Sequence, residues 1–544
     1  MSVNGSSAAT SLQYGSYGNP YVLLTGAVLA AAIFIRWYTT NSSTDSREPP
    51  VLYPKVPIIG HLLGIMQLQA DYLQKLCTNT QLPIFTLKIP STKIYVITSP
   101  ELIQAVFRNS KTLSFDPISS AASKRIFHMT DRQMNILHGN DHGGDGEEDH
   151  ALIKATTKVM HSALQPSPSV FKTNANAMEK FASALDGVGE DGMSVNLYDW
   201  VEHHFTIATA HAVYGPMNPI SEDLSMIQKL FDFESSIGLL FLDILPSITC
   251  RAGHRARADF AAAFKRYYDN KHYLSSSALI LGRHASLTSG GYNTDDLATF
   301  DLGILMAATM NSNPGLFWLI SYIYSSPTLL SSIRAEIDAI TTLLPSTSRT
   351  KNREAHVDIT LLHSACPLLV SAWQETLRVR AATVPNRLVV SDTLLHSSHG
   401  TYLLQKGAVI QMPCQPMHTS PLTWGPSSTT FSASRFLPAY TSTLDKDEKK
   451  KRKQAFNPFG GGSVLCPGRY FASSEIMGVV ALLVAGFEIE DVRVLDVKMQ
   501  VMSAQIKAPD GDLNVRIKRR KGWEGVRFKF DSGSGDVADD LVFG

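Results

Sequence analysis

The stretch FGGGSVLCPGR, at residues 459–469, lies near the C-terminus and leads into an apolar segment of helical character. Glycine has no Cβ, so a glycine-rich loop can turn its backbone N–H groups towards the sulfur of Cys466. The positive end of the following helix favours the thiolate over the thiol. The stretch therefore predicts an ionised cysteine that is available as a ligand.

A buried or free thiol in front of a core helix is the ordinary alternative for one cysteine. A zinc site fits poorly, because the five cysteines contain no closely spaced pair: Cys77, Cys250, Cys366, Cys414 and Cys466. Which interpretation holds depends on what the rest of the chain supplies.

Phe459, Gly462, Cys466 and Gly468 keep the spacing Phe-x-x-Gly-x-x-x-Cys-x-Gly, which resembles the haem-binding loop of the cytochrome P450 family. The resemblance implies heme b as cofactor, with the Cys466 thiolate as axial ligand of the iron and the other three residues around it. Such a ligand pushes electron density towards bound oxygen and favours O–O cleavage. The implied architecture is the cytochrome P450 fold, mainly α with small β-sheets.

Length and composition set the class of protein. With 544 residues, the chain is longer than the usual limit for one compact core, so we expect a large domain with subdomains. The 44% of hydrophobic and 18% of charged residues argue against wholesale disorder. A net charge of +1 gives no reason to expect a nucleic-acid partner. Unpaired cysteines suit a reducing compartment.

The N-terminal part predicts a membrane anchor. Residues 21–38 are an apolar run with aromatic and basic end residues, 18 positions in all, near the lower end of the ~17–25 that span a bilayer. A cleaved signal peptide is the alternative, but it requires positive charge before the run. Arg36, Arg47 and Lys55 all come after its apolar core, which puts the main body in the cytoplasm.

These features predict five segments: a lumenal segment (1–20), a transmembrane anchor (21–38), a proline-rich hinge (39–60), a haem-thiolate catalytic domain (61–530) and a flexible tail (531–544). Prolines stiffen the hinge into an extended form. Together with the family resemblance, this implies a single-pass protein of the endoplasmic reticulum membrane with a cytoplasmic catalytic domain.

Local patterns predict the secondary structure. Residues 84–88 and 93–98 are β-branched runs that predict a hairpin, and Pro100 opens a short helix. Helical periodicity then dominates to about residue 388, and strands return at 387–391 and 402–411. The Gly/Ser/Asp-rich tail after residue 531 predicts a frayed end.

Glu375 and Arg378 are three residues apart in a predicted helix, which puts them on one face. A surface pair is the ordinary alternative. In the resembled family, a Glu-x-x-Arg pair is buried and joined by a downstream arginine, and the matching position here is Arg435. The resemblance implies that these residues are structural.

Haem carries two propionates, so cationic partners are expected. Arg387 lies in a segment that resembles the family strand whose arginine reaches a propionate. The usual Trp-x-x-x-Arg is replaced by His150 and Lys154 at the same spacing, although Lys lacks the planar fork of Arg. A surface position is the alternative for Lys154. Val464 stands where many relatives carry a basic residue.

Residues 301–320 resemble the long central helix of the family. Pro314 cannot donate to the carbonyl of Met310, so the helix should loosen there. Thr309 and Asn311 are the candidate catalytic residues. Most family members carry an acid-alcohol pair where this chain has Met310-Asn311, which resembles a branch with sterol 7α- and 12α-hydroxylases and prostacyclin synthase. Asn cannot titrate, but its amide can orient water or a substrate oxygen.

The resemblance implies a monooxygenase that oxidises a lipophilic, terpenoid or steroid-like substrate in secondary metabolism, as a monomer. Its electrons come from NADPH through NADPH-cytochrome P450 reductase. The basic run at residues 446–453 is either a solvated loop or a docking site for that reductase. Two alternatives stay open: a haem-thiolate isomerase or dehydratase that needs no reductase, and a haem-binding sensor without enzymatic activity.

Overall fold

The structure is a computed structural model that describes residues 45–56, 59–89, 92–138, 151–345, 353–498 and 505–533. The predicted lumenal segment, the predicted anchor and His150 lie outside the described residues, as do most of the predicted tail and part of the hinge.

The helices account for most of the regular structure. In chain order they are α1 (Gly60–Thr80), α2 (Pro100–Arg108), α3 (Asp116–Ile126), α4 (Asp131–His138), α5 (Ala151–Leu164), α6 (Pro168–Ser183), α7 (Leu197–Tyr214), α8 (Pro219–Glu222), α9 (Met226–Leu242), α10 (Pro246–Thr249), α11 (Arg251–Asp269), α12 (Ala278–Ser289), α13 (Thr294–Thr309), α14 (Ser312–Tyr324), α15 (Pro327–Ala339), α16 (Leu362–Ala365), α17 (Pro367–Arg380), α18 (Gln415–His418), α19 (Pro421–Trp424), α20 (Pro438–Thr441), α21 (Lys446–Ala455) and α22 (Arg469–Gly486).

The strands are short and form small sheets. They are β1 (Val51–Leu52), β2 (Ile84–Ile89), β3 (Thr92–Ile97), β4 (Leu113–Ser114), β5 (Met193–Asn196), β6 (Thr341–Leu344), β7 (Glu354–Asp358), β8 (Asn386–Val389), β9 (Thr393–Ser397), β10 (Gly400–Leu404), β11 (Val409–Gln411), β12 (Phe487–Glu490), β13 (Asn514–Arg519) and β14 (Arg527–Asp531). The largest sheet has the order β1-β2-β3-β11-β8-β4. The smaller ones are β9-β10, β5-β13-β12 and β6-β7-β14. The mainly α prediction with small sheets is confirmed.

The predicted hairpin is confirmed as β2 and β3, which pair antiparallel from Ile84–Ile97 to Ile89–Thr92. Strand β8 lies in the same sheet and pairs with β11, so that Arg387 faces Ile410 across the ladder. This sheet therefore fixes the position of the arginine that was predicted to reach a propionate.

Four helices, α6, α7, α14 and α22, pack together in the main hydrophobic core. Every residue of α14 is buried, and α22 is buried almost throughout, as expected for helices that are apolar all round. Within the described residues, α22 alone is long and apolar enough by itself to cross a membrane, and 89% of it is buried inside the protein. It is a core helix that begins directly after the Cys466 loop.

The predicted central helix is interrupted, as expected, but the break precedes the proline. Helix α13 ends at Thr309 and α14 begins at Ser312, so the break is at Met310 and Asn311. Pro314 lies in the first turn of α14, where a missing N–H costs little. Because Pro314 has no N–H, the carbonyl of Met310 lacks the hydrogen-bond donor that a continuous helix would provide.

Candidate active site

The loop before α22 is closed by its own backbone. The N–H of Cys466 donates to the carbonyl of Phe459 at 3.1 Å, and the N–H of Leu465 donates to that of Gly462 at 3.2 Å. Gly460 and Gly462 have φ of 76° and 66°, which disfavour a side chain. The predicted loop conformation thus depends on glycine at these positions.

The Cys466 sulfur lies at the N-terminus of α22. It accepts hydrogen bonds from the backbone N–H groups of Gly468 and Arg469, and the Arg469 guanidinium adds positive charge. Burial nevertheless raises the pKa of the Cys466 thiol above its usual value. The donors for a thiolate are therefore in place, and a bound metal ion would supply the remaining stabilisation that deprotonates the sulfur.

The other cysteines do not compete for this role. All four are buried, whereas Cys466 is partly exposed. Burial raises the pKa of the Cys77, Cys366 and Cys414 thiols to about 12, so they stay inert thiols. No group of three or more His, Cys, Asp or Glu in the described part of the chain could hold a metal ion.

Arg387 gives a test of whether the site suits haem. Its side chain is buried and donates to the carbonyls of Asn386 at 2.7 Å and Gly461 at 3.3 Å. Burial lowers the pKa of the Arg387 guanidinium, and the negative charge of Asp116, which raises it, offsets only part of this effect. No carboxylate of the described residues lies within ion-pair distance of it. A buried cation without a bonded anion beside the cysteine loop suits a propionate.

Close packing holds the loop beside α2. A Cβ on Gly461 would lie 2.3 Å from the ring of Phe107, so this position also requires glycine. The guanidinium of Arg387 lies 5.6 Å from the Phe107 ring centre and 5.8 Å from that of Phe115. The aromatic pair thereby fixes the arginine against the loop.

Lys154 is exposed near the start of α5, and the structure shows no bond between it and the cysteine loop. His150 lies outside the described residues. Their proposed contact with a propionate stays a prediction.

Glu375, Arg378 and Arg435 form a buried network. Arg378 donates to both Glu375 oxygens at 2.7 Å, and Arg435 donates to Oε1 at 3.0 Å. All three side chains are at most 3% exposed. Arg378 also donates to the carbonyl of His418, whose imidazole accepts the N–H of Asn457 just before the loop. The network therefore joins α17 to the segment that carries Cys466.

On the central helix, the two predicted catalytic side chains are already hydrogen-bonded. Thr309 is buried, and its hydroxyl donates to the Leu305 carbonyl at 2.9 Å. Asn311 Oδ1 accepts the backbone N–H groups of Gln505 at 2.9 Å and Ile506 at 3.2 Å. Asn311 can offer the site only its Nδ2 donor.

The same helix has an open face. Ala307 is exposed, although Leu305 and Thr309 on either side are buried. A small side chain on an open helix face allows a flat group to approach the backbone. This is the second feature, besides Arg387, that suits a haem.

Sequence reasoning missed Phe107, Arg469 and the pair Gln505–Ile506. Arg469 could have been found from the sequence, because it directly follows Cys466, Pro467 and Gly468. The contacts of Phe107 with Gly461, and of the 505–506 segment with Asn311, join residues far apart in the chain, and no local pattern marks them.

Comparison with known proteins agrees with this geometry. A family model described as Cytochrome P450 matches residues 49–509. A cytochrome P450 monooxygenase of Gibberella zeae is 31% identical over 537 residues, which cover 94% of this chain and 97% of the relative. The cholesterol 7-alpha-monooxygenase of Cricetulus griseus is 28% identical over 464 residues, which cover 81% of this chain and 87% of that protein.

A solved structure of a cyanobacterial cytochrome P450 with retinoic acid bound has the same fold. Its TM-score is 0.65 at 18% identity, over 87% of this chain and 99% of that chain.

Proposed function

The chain belongs to the cytochrome P450 family of haem-thiolate monooxygenases, and from that premise we propose which reaction it performs. It inserts one oxygen atom from O₂ into a C–H bond of a lipophilic, terpenoid or steroid-like substrate. The electrons come from NADPH through a reductase. Anchorage of residues 21–38 in the endoplasmic reticulum membrane keeps the enzyme near such substrates.

The observation that carries this proposal is the environment of the Cys466 sulfur, with two backbone N–H donors at the start of α22. Heme b held by this sulfur supplies the activation of O₂. With heme b bound, Arg387 would hold one propionate, and Lys154 with His150 would hold the second. The buried network of Glu375, Arg378 and Arg435 keeps the cysteine loop in place by joining it to α17.

The residues at the predicted oxygen-binding site support the proposed substrate class. Met310-Asn311 replaces the usual acid-alcohol pair, and a relative at 28% identity is a cholesterol 7-alpha-monooxygenase. We expect Asn311 to donate from Nδ2 to an oxygen atom of the substrate or of a bound water.

Helix α21 supports docking of a reductase. It is exposed along most of its length and carries six basic residues among ten. A positive surface steers an acidic partner. Replacing the basic residues at 449–453 by Ser should slow reductase-driven turnover and reduce its salt dependence, and unchanged kinetics would exclude docking there.

A second candidate is an isomerase or dehydratase that works without a reductase. Asn311 cannot titrate, and the Thr309 hydroxyl is bonded within its own helix, so neither is a ready proton donor.

Turnover assays separate the candidates. The purified holoenzyme is incubated with terpenoid and steroid substrates, with and without NADPH and reductase, and with organic peroxides. Products that require both NADPH and reductase support the monooxygenase, whereas conversion of a peroxide without NADPH supports the isomerase. Haem binding without any product in either assay would leave only the sensor.

A further inference from the structure

A buried polar cluster ties the first half of the central helix, α13, to its neighbours. We call it the Asp301 cluster and define it as Asp301, Arg283 of α12, Tyr268 of α11 and Tyr214 of α7. The Asp301 carboxylate accepts one hydrogen bond from the Arg283 guanidinium and one from the Tyr268 hydroxyl. The Tyr214 hydroxyl donates to the backbone carbonyl of Asp301 at 3.0 Å. Three helices are thus bonded to one residue of α13.

The cluster contains a charged pair that is almost completely excluded from water. The side chains of Arg283 and Asp301 are 1% and 0% exposed. Burial alone would lower the pKa of Arg283, but the attraction to Asp301 and to the nearby tyrosines outweighs this and raises it. Burial, together with the charge of Asp301, raises the pKa of Tyr268, so its hydroxyl stays a donor. Within the described residues, Asp301 is the only carboxylate at ion-pair distance from Arg283.

A buried ion pair contributes little net stability, because removing water from two charges costs much of what their attraction returns. Apolar side chains of similar volume often replace such a pair without loss, whereas removal of one partner leaves an unpaired charge. The pair does supply geometry, because a carboxylate and a guanidinium bind each other in few relative orientations. A positioning role therefore explains the cluster better than a role in stability.

Helix α13 needs contacts of its own to fix its position. It is not continuous with α14, because the helix breaks at Met310 and Asn311, and Pro314 offers no N–H to the carbonyl of Met310. Helix α14 is fixed separately. All of its residues are buried, and Trp318 Nε1 donates to the Lys507 carbonyl at 2.6 Å. The position of α13 thus depends on the bonds that the Asp301 cluster makes to α7, α11 and α12.

The cluster lies on the side of α13 opposite to its open face. Asp301 and Leu305 are one turn apart and both buried. Gly303 and Ala307 are one turn apart on the other side, where Ala307 is exposed. Gly303 packs so closely against Phe127 that a Cβ would lie 3.0 Å from the ring. Any displacement of α13 would therefore change the space that its open face leaves free.

We propose that the Asp301 cluster sets the position of α13 across the haem site and thereby determines which part of a substrate comes close to the reacting oxygen. Asp301 and Arg283 are positioning residues, because both lie behind the helix and act through its open face. The effect on substrates rests on the monooxygenase function proposed above. The position of the helix does not, and it can be measured without turnover.

Two variants of the holoenzyme and one matched control test this role. Asp301→Asn keeps the size of the side chain but removes the charge opposite Arg283. The triple variant Asp301→Leu, Arg283→Met and Tyr268→Phe removes all the paired polar side chains at similar volume, so that no charge is left unpaired. Asp295→Asn is the control, because it makes the same change in the same helix, in an exposed pair with Lys265 at 2.6 Å.

Phenyldiazene is the probe of helix position, because it needs neither a substrate nor an electron donor. It places a phenyl group on the haem iron, and oxidation then moves this group to a pyrrole nitrogen. The distribution of the phenyl group among the nitrogens reports which sides of the haem the protein leaves open. Thermal unfolding of the same samples measures stability.

We expect Asp301→Asn to lower the Tm by several degrees and to change the phenyl distribution several-fold. The triple variant should recover the Tm of the wild type, because no charge is unpaired, but keep the altered distribution, because nothing replaces the geometry of the pair. Asp295→Asn should match the wild type in both measurements. With a steroid or terpenoid that the wild type converts, the product ratio should change in the same variants.

A wild-type phenyl distribution in Asp301→Asn would overturn the proposal. So would its return together with the Tm in the triple variant, since the cluster would then serve stability alone. If Asp301→Asn does not fold, Tyr268→Phe decides: it keeps the ion pair and loses one hydrogen bond, so it should shift the distribution in the direction of the triple variant, and no shift would overturn the proposal. A wild type without NADPH-dependent product would refute the monooxygenase instead, and the phenyl distribution would still report on α13.

Discussion

Asn311 and Gln505 are joined by a hydrogen bond of 2.9 Å, from the backbone N–H of Gln505 to the side-chain oxygen of Asn311. The N–H of Ile506 donates to the same oxygen. Because an N–H cannot donate to an NH₂ group, the amide has one orientation. Asn311 therefore anchors the 505–506 segment to the break in the central helix and presents only a donor to the site.

Two substitutions of Asn311 should separate anchoring from donation. Asn311→Leu leaves two N–H groups without an acceptor and should lower the free energy of unfolding by about 1–3 kcal/mol. Asn311→Asp keeps the acceptor and the stability but loses the donor, so we expect altered product ratios at an unchanged Tm. Equal effects of both variants on Tm and products would contradict this division.

The Glu375 network should behave as a buried charge cluster. Glu375→Leu strands two buried guanidinium groups and should cost about 3–5 kcal/mol in the free energy of unfolding, with loss of haem. Lys124→Ala, which breaks the exposed pair with Asp131, should cost less than about 1 kcal/mol. Denaturant titrations and haem content give the comparison, and similar costs for both would refute the buried network.

Arg387 should contribute more to haem retention than Lys154. Arg387→Met removes a buried cation that already lies against the cysteine loop, so the rate of haem loss to a scavenger should rise several-fold. Lys154→Met should raise it less, since that side chain is exposed without cofactor. If neither variant loses haem faster, the propionates are held by other residues.

Glu475 of α22 is fully buried and accepts the hydroxyl of Thr209 at 2.8 Å, and its carboxyl should affect the pH dependence of stability. Its pKa rises from an ordinary 4.5 to about 8 on folding, so between these values the folded protein holds more protons than the unfolded chain. The free energy of unfolding then decreases as pH rises through that window and levels off above it. Glu475→Gln lacks this component.

Denaturation of both proteins at pH 5 and pH 8 measures the difference. Relative to wild type, Glu475→Gln should gain up to roughly 1.4 kcal/mol per pH unit across the window. Parallel curves for the two proteins would mean that Glu475 does not hold its proton.

The features that could be predicted from the sequence are those formed by residues close together in the chain. The Cys466 loop, the β2–β3 hairpin and the Glu375–Arg378 pair each lie within a few residues, so backbone geometry and side-chain period fix them locally. The interruption of the central helix followed from Pro314, although its position did not, because a proline fits within the first turn of the helix it forces to restart.

Contacts that depend on tertiary packing could not be predicted from the sequence. Gln505 meets Asn311 across 194 positions, and Thr209 meets Glu475 across 266. Nothing in either local sequence marks these partners.

The most direct test of the account is the visible spectrum of the reduced, CO-bound protein, compared between wild type and Cys466→Ser. A thiolate on the iron predicts a strongly red-shifted Soret band for the wild type and its loss, together with monooxygenase activity, in the variant. If Cys466→Ser keeps the red-shifted band and its turnover, the sulfur of Cys466 is not the ligand and the account fails.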